Sequence, residues 1–182
     1  VTSIVAISWV FQWILMGNGI INDVLVKLGL PAQPFLNSPD QAIYVIIGAM
    51  IWQSIGFQMI LFLAGLENIP DSLYEAADID GASPWQKFWR VTFPLLNPTI
   101  VFSAVIGTIT FIQVSFTQVV NMSMDGSGGP LNSTISVVVY IYQLAFRQFD
   151  MGLASAATVI LFLFILGLTI FQMKVLTKKF DY

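Results

Sequence analysis

The chain has 182 residues, 57% of them hydrophobic and 9% charged, with a formal net charge of −3. Water-soluble domains carry about 25% charged residues, and so apolar a chain leaves large exposed patches unless hydrocarbon covers them, so the composition is that of an all-α integral membrane protein. There is no His and no Cys, which excludes disulfides, Cys/His zinc sites, thiol nucleophiles and Ser-His-Asp triads, and no basic run points to nucleic acid.

Val1 is not a start residue and no charged region precedes the first apolar run, so no signal peptide is read. Segment 1–16 looks like the last part of a span cut off at residue 1. A helix crossing a core of about 30 Å needs about 20 mostly apolar residues, and segment 41–66 qualifies. Residues 67–98 follow as the largest charged island, with Glu67, Asp71, Glu75, Asp78, Asp80, Lys87 and Arg90. Segments 99–120 and 151–173 are further charge-free spans. Between them, 121–150 opens with the turn chemistry of Gly126–Pro130 and Asn132-Ser133-Thr134. The apolar run 134–146 that follows is too short to span and reads as an interfacial helix.

The excess of Lys and Arg on cytoplasmic loops gives the orientation. If 134–146 does not cross, Lys87, Arg90, Lys174, Lys178 and Lys179 share one side against Lys27 and Arg147 on the other. The cytoplasm then holds 67–98 and the C-terminal tail, and the exterior holds 17–40 and 121–150.

Within the cytoplasmic loop, Pro70 ends the incoming span. Ser72 with Glu75 reads as a capping box for a helix over Leu73 to Asp80, and Gly81 stands where a left-handed C-terminal residue is wanted. A second box has Ser83 as cap, Pro84 in the first helical position and Gln86 three residues beyond the cap. That helix runs to about Thr92, before Pro94 and Pro98 break it. Two capping boxes need be no more than a tidy connector. Yet the loop exceeds the 2–8 residues usual between packed helices, and it exposes Leu73, Tyr74, Ile79, Trp85, Phe88 and Trp89 at a membrane–water boundary. Such aromatics either anchor in headgroups or fill a partner's pocket, and the small residues Ala76, Ala77, Gly81 and Ala82 suit close docking.

No G-x-x-x-x-G-K-[ST] loop is present to hold a nucleotide, and Gly126–Pro130 lacks the lysine of a phosphate cradle. The triplet 132–134 fits the N-x-[ST] pattern, which is common by chance. The spans hold no Asp, Glu, Lys, Arg or His, so proton coupling and a catalytic dyad have no material. A membrane-embedded enzyme or an ion channel is a weaker reading for that reason. Uncharged polar groups do occur: Gln53, Ser54 and Gln58 in 41–66, and two stripes in 99–120. One stripe is Thr108, Ser115 and Gln118; the other is Ser103, Thr110, Gln113 and Thr117. One stripe could face a wet cavity while the other bonds a neighbouring helix. Beside Trp52, Phe57 and Phe111 they suit a sugar, although each is equally well explained as helix–helix glue.

The loop resembles the "EAA loop" of permease subunits of ATP-binding-cassette importers: Glu-Ala-Ala, three residues, Gly, nine residues, then Ile-x-Leu-Pro. Glu75-Ala76-Ala77, Gly81 and Val91-Thr92-Phe93-Pro94 match that spacing, with Val for Ile and Phe for Leu. The stretches "FLAGLENIPDSLYEAADIDGASPWQKFWRVTFPLLNPT", "GLPAQPF", "GSGGPLNST" and "YIYQLAF" resemble the carbohydrate-uptake branch.

The resemblance implies a type I importer permease-like helical bundle with about four spans visible, the first truncated. It further implies a bacterial or archaeal cytoplasmic (inner) membrane location, and a non-catalytic subunit without a cofactor or metal of its own. Leu73, Tyr74, Glu75, Ala76, Ala77, Asp80 and Gly81 would contact a cytoplasmic ATPase. Trp52, Gln53, Ser54, Phe57, Thr108, Ile112, Gln113 and Ser115 would line the substrate pathway. The implied partners are that ATPase, a second permease subunit that is a different chain, an extracytoplasmic solute-binding protein approaching the outer region, a sugar substrate and membrane lipid. Glycerol-phosphate is the alternative substrate; the absence of cationic residues along the spans favours a neutral sugar.

Overall fold

The computed structural model describes residues 3–123, 126 and 128–176. Among them every regular element is a helix. The first is α1, Ile4–Ile14, 11 residues where the truncated span is expected. Segment 17–40, expected on the outer side, holds α2, Ile20–Lys27, which the sequence reading did not anticipate. Then come α3 (Ala42–Glu67), α4 (Asp71–Ile79) and α5 (Pro84–Lys87). A π-helical turn at Phe88–Thr92 leads into α6, Phe93–Leu95, and α7, Asn97–Met122. A short helix α8, Val137–Tyr142, passes through a second π turn, Gln143–Arg147, before α9, Met151–Leu176.

Three of these, α3, α7 and α9, are long and apolar enough to cross a membrane. Each has 26 residues, about 39 Å at 1.5 Å per residue. They coincide with the expected spans 41–66, 99–120 and 151–173 to within a turn. The run expected at 134–146 falls on α8 and its π turn, short of spanning length. Lys178 and Lys179, part of the expected charge count, lie outside the described residues.

The chain divides into two compact units, one within Val1–Ser54 and Thr110–Phe164, the other within Ile55–Ile109 and Ile165–Tyr182. The first is built on a core of Leu36, Ile46, Ala49, Met50, Val119, Met122 and Val139, with Phe11, Phe116 and Ile135 packed against it. Asn22, buried in the same unit, organises segment 17–40. Its amide donates to the carbonyls of Met16, Gly17 and Gln33 and accepts from the Gln33 amide N–H at 2.8 Å. Those bonds satisfy backbone groups that turns leave open.

The second unit holds α4 to α6 and the halves of α3, α7 and α9 that flank them. Its polar groups tie helix to helix. Ser103 Oγ donates to Gln58 Oε1 at 2.6 Å, Gln172 Nε2 to Thr108 Oγ1 at 2.8 Å, and Asn97 Nδ2 to the Leu176 carbonyl at 3.0 Å. Asn97 thus satisfies one of the open carbonyls at the end of α9.

Two expectations about the 67–98 connector need correction. Ser72 is not a cap: α4 begins at Asp71 with Pro70 as its extended N-cap residue, and no side-chain cap is formed. Proline fixes φ near the value required there, at −62°, and Asp71 then occupies the first turn, where the helix dipole favours a carboxylate. Nor do Pro94 and Pro98 break the chain's helical course. Pro94 sits inside α6 directly after the π turn, whose wider ring accommodates the missing amide, and Pro98 lies in the first turn of α7, where no amide partner is needed.

Candidate functional site

The 67–98 connector is a stiff helix pair. At its centre α4 ends in a complete Schellman motif: Ala82 N–H donates to the Ala77 carbonyl at 2.9 Å and Gly81 N–H to the Asp78 carbonyl at 3.0 Å. Gly81 has φ +71°, the left-handed conformation that side chains resist. The capping box expected at Ser83 is present. Ser83 N–H donates to Gln86 Oε1 at 2.8 Å and Gln86 N–H to Ser83 Oγ at 3.4 Å.

Two side-chain contacts lock the helices together. The Lys87 ammonium pairs with the Asp78 carboxylate, and the hydroxyls of Tyr74 and Thr92 share a hydrogen bond of 2.9 Å. Thr92 is buried and Tyr74 half-buried. Of the residues expected to meet a partner, Leu73, Glu75, Ala76, Asp80 and Gly81 are exposed, and Ala77 is half-buried. Tyr74 is the exception, since it spends its hydroxyl inside the pair. The next residue along the exposed edge is Ile79, 87% exposed.

The residues expected along the pathway divide between the two units. In the first, Trp52 stands exposed with its ring 5.6 Å from that of Phe11. Gln53 Oε1 accepts from Gln118 Nε2 at 2.8 Å. Ser54 and Ser115 turn their hydroxyls to their own helix, onto the carbonyls of Ile51 and Ile112 at 2.9 and 2.7 Å. Ile112 is half-buried and Gln113 exposed. In the second unit Phe57 is exposed, while Thr108 donates to the Ala104 carbonyl and receives Gln172.

The simple division into one wet and one bonded stripe therefore fails. Gln118 and Thr108 from the first stripe and Ser103 from the second all bond a neighbouring helix. Thr110 and Gln113 remain exposed. Gln172 and Asn22 went unnoticed in sequence; the signal for Gln172 was the one side-chain amide in the apolar segment 151–173.

Residues 1–181 match the family model "Binding-protein-dependent transport system inner membrane component". Among curated proteins it is 41% identical to the lactose transport system permease protein LacF of Rhizobium radiobacter, covering 87% of this chain and 53% of that one. It is 37% identical to the sulfoquinovosyl glycerol transport system permease protein SmoG of Agrobacterium fabrum, covering 94% and 54%. The sn-glycerol-3-phosphate transport system permease protein UgpA of Yersinia pseudotuberculosis is 33% identical, with 99% and 60% covered. The chain thus spans between about half and three fifths of the length of these relatives. Among solved structures, a bacterial transporter importing the acidic polysaccharide alginate superposes with a TM-score of 0.84 at 28% identity, covering 96% of this chain and 60% of that one.

Proposed function

Because the chain belongs to the family of binding-protein-dependent transport inner-membrane components, we propose that it is part of a permease subunit of an ATP-driven sugar importer. In this reading the spans form half of a translocation pathway and catalyse nothing. The 67–98 connector lies in the cytoplasm and docks in a partner ATPase through Leu73, Tyr74, Glu75, Ala76, Ala77, Asp80 and Gly81. A solute-binding protein delivers substrate from outside, and a second, different permease chain completes the pathway.

The observation that supports it most directly is the mechanical build of the connector. A loop that only joined two spans would not need an ion pair, a Tyr–Thr bond and a Schellman turn together. A rigid element transmits displacement, because two packed arrangements differ discretely rather than by continuous bending. The exposed edge of small residues lets another surface come close, and Glu75 at that edge offers a carboxylate to a cationic partner.

The pathway residues Trp52, Gln53, Ser54, Phe57, Thr108, Ile112, Gln113 and Ser115 are proposed to meet the sugar. Hydroxyls and amides match its hydroxyl groups, and the aromatic rings match its apolar faces. LacF, SmoG and UgpA are each named for a polyhydroxylated solute. That shared chemistry carries the class of cargo to this chain, with glycerol-phosphate as the alternative.

Gly81→Val and Glu75→Lys test the coupling. Valine in the left-handed region is strained, so the Schellman turn must rearrange, while Glu75→Lys inverts the charge at the docking edge. In the complete transporter, both variants are expected to insert normally but to lose uptake while the ATPase no longer responds to the loaded binding protein. Wild-type uptake in both would refute the assignment.

A further inference from the structure

The connector has a second open surface that α4 does not cover. Lys87 and Thr92 face α4 through the Asp78 and Tyr74 contacts, but Trp85, Phe88, Trp89 and Phe93 pack on one another. Their ring centroids lie 5.1–6.3 Å apart, and the rings are 70%, 41%, 47% and 44% exposed. The π turn makes the patch continuous, because its extra residue per turn brings Phe93 under Phe88, five positions earlier. Arg90, in the same turn, is exposed.

We propose that this aromatic face is a membrane-interface anchor, lying in the lipid headgroup layer with the Arg90 guanidinium on lipid phosphate. Three observations choose lipid as the occupant. The patch is continuous in sequence with a membrane-crossing surface, since Phe93 stands four residues before the first residue of α7, about 6 Å of helix rise. Its composition, two indoles and two phenyl rings, is that of the aromatic belt at a bilayer surface, where a ring with an apolar body and a polar N–H is half solvated on either side. The exposed charge in the same turn, Arg90, is cationic, the sign that phosphate headgroups attract. Residues 85–93 accordingly lie along the membrane plane rather than projecting from it.

The anchor gives the connector a fixed end. A push on α4 then tilts α7 instead of rotating the whole pair about its linkers, a consequence that rests on the coupling role proposed above; the anchoring itself does not.

Spin labels separate the two. In a cysteine-free full-length permease assembled in liposomes, Trp85→Cys and Ile79→Cys are labelled singly and read by power saturation with oxygen and a water-borne nickel chelate. The label at 85 is expected to show interfacial accessibility, with or without the ATPase. The label at 79 is expected to be aqueous alone and shielded once the ATPase binds. An aqueous label at 85, or one hidden from both relaxants as in a protein pocket, overturns the anchor. A label at 79 that ignores the ATPase sinks the coupling reading and leaves the anchor standing. Intact rings supply a second measurement. Lipids brominated near the headgroup should quench wild-type tryptophan fluorescence more than that of a Trp85→Phe, Trp89→Phe double variant; equal quenching of both also overturns the anchor.

Discussion

Gly65 shows how little space separates two spans at the level of one atom. A methyl group placed there meets Thr99 Oγ1 at 2.6 Å, Leu96 Cδ2 at 3.0 Å and Thr99 Cγ2 at 3.1 Å. Small residues at such crossings let helices in a membrane approach closely, where no hydrophobic force drives them together. Thr99 is branched at Cβ and cannot simply swing away, and Leu96 is buried. Gly65→Val is therefore expected to destabilise by about 1–3 kcal/mol, the usual cost of overpacking. Gly48, where an added methyl meets nothing within 4 Å, is the control; Gly48→Ala should be neutral or slightly stabilising. Thermal unfolding in detergent, followed by monomer recovery on a sizing column, measures both. Equal melting temperatures for wild type and Gly65→Val would contradict the close approach. Gly19 is tighter still, because a methyl group would lie 2.4 Å from the Ile14 carbonyl oxygen, and a main-chain atom cannot rotate aside.

Elements were legible where one strong signal acted alone and obscure where two competed. The three long helices follow from charge-free apolar runs, which only lipid or protein can cover. The Ser83 box was readable because cap, Pro84 and Gln86 agree. Ser83→Ala should cost about 1 kcal/mol of local helix stability, seen as faster amide hydrogen exchange at Gln86 and Lys87 with α4 unchanged. Unaltered exchange there would show that the Lys87–Asp78 pair holds the helix without its cap. At the other box the serine signal was real but lost to Pro70, whose restricted φ sets the helix start two residues earlier. The π turns went unread: one directly precedes Pro94, and the other stands before the sharp turn in which Phe149 takes a φ of 56°. The helix α2 escaped notice because it is only eight residues long and its anchor, Asn22, bonds residues on both sides of it. Much of the proposed pathway, by contrast, could be read only as a set of polar positions. Sequence spacing places Thr108 and Ser115 on one face, but only packing decides that Gln172 occupies Thr108.

At the scale of the molecule, the spans are electrically silent. Segments 41–66, 99–120 and 151–173 contain no Asp, Glu, Lys, Arg or His, and the polar side chains that remain open along them, such as Thr110 and Gln113, are uncharged hydroxyls and amides beside aromatic and aliphatic groups. An anion entering such a passage surrenders part of its hydration and finds no counter-charge from this chain, and charge desolvation in a low-dielectric setting costs several kcal/mol. A neutral sugar loses only hydroxyl hydration, which amides and hydroxyls replace, and its ring faces rest on aromatics. UgpA is named for a phosphorylated solute, so family membership leaves the choice open and local chemistry must make it. In proteoliposomes holding the complete transporter, neutral mono- or oligosaccharides bound to the cognate receptor should stimulate ATP hydrolysis and accumulate inside. Glycerol-phosphate and sugar phosphates should do neither. Transport of the phosphorylated solutes would mean that cationic groups on the second permease supply what these spans lack. Gln113→Lys, at an exposed position, should then raise their uptake; should the neutral-sugar reading hold, the same change should only impair transport.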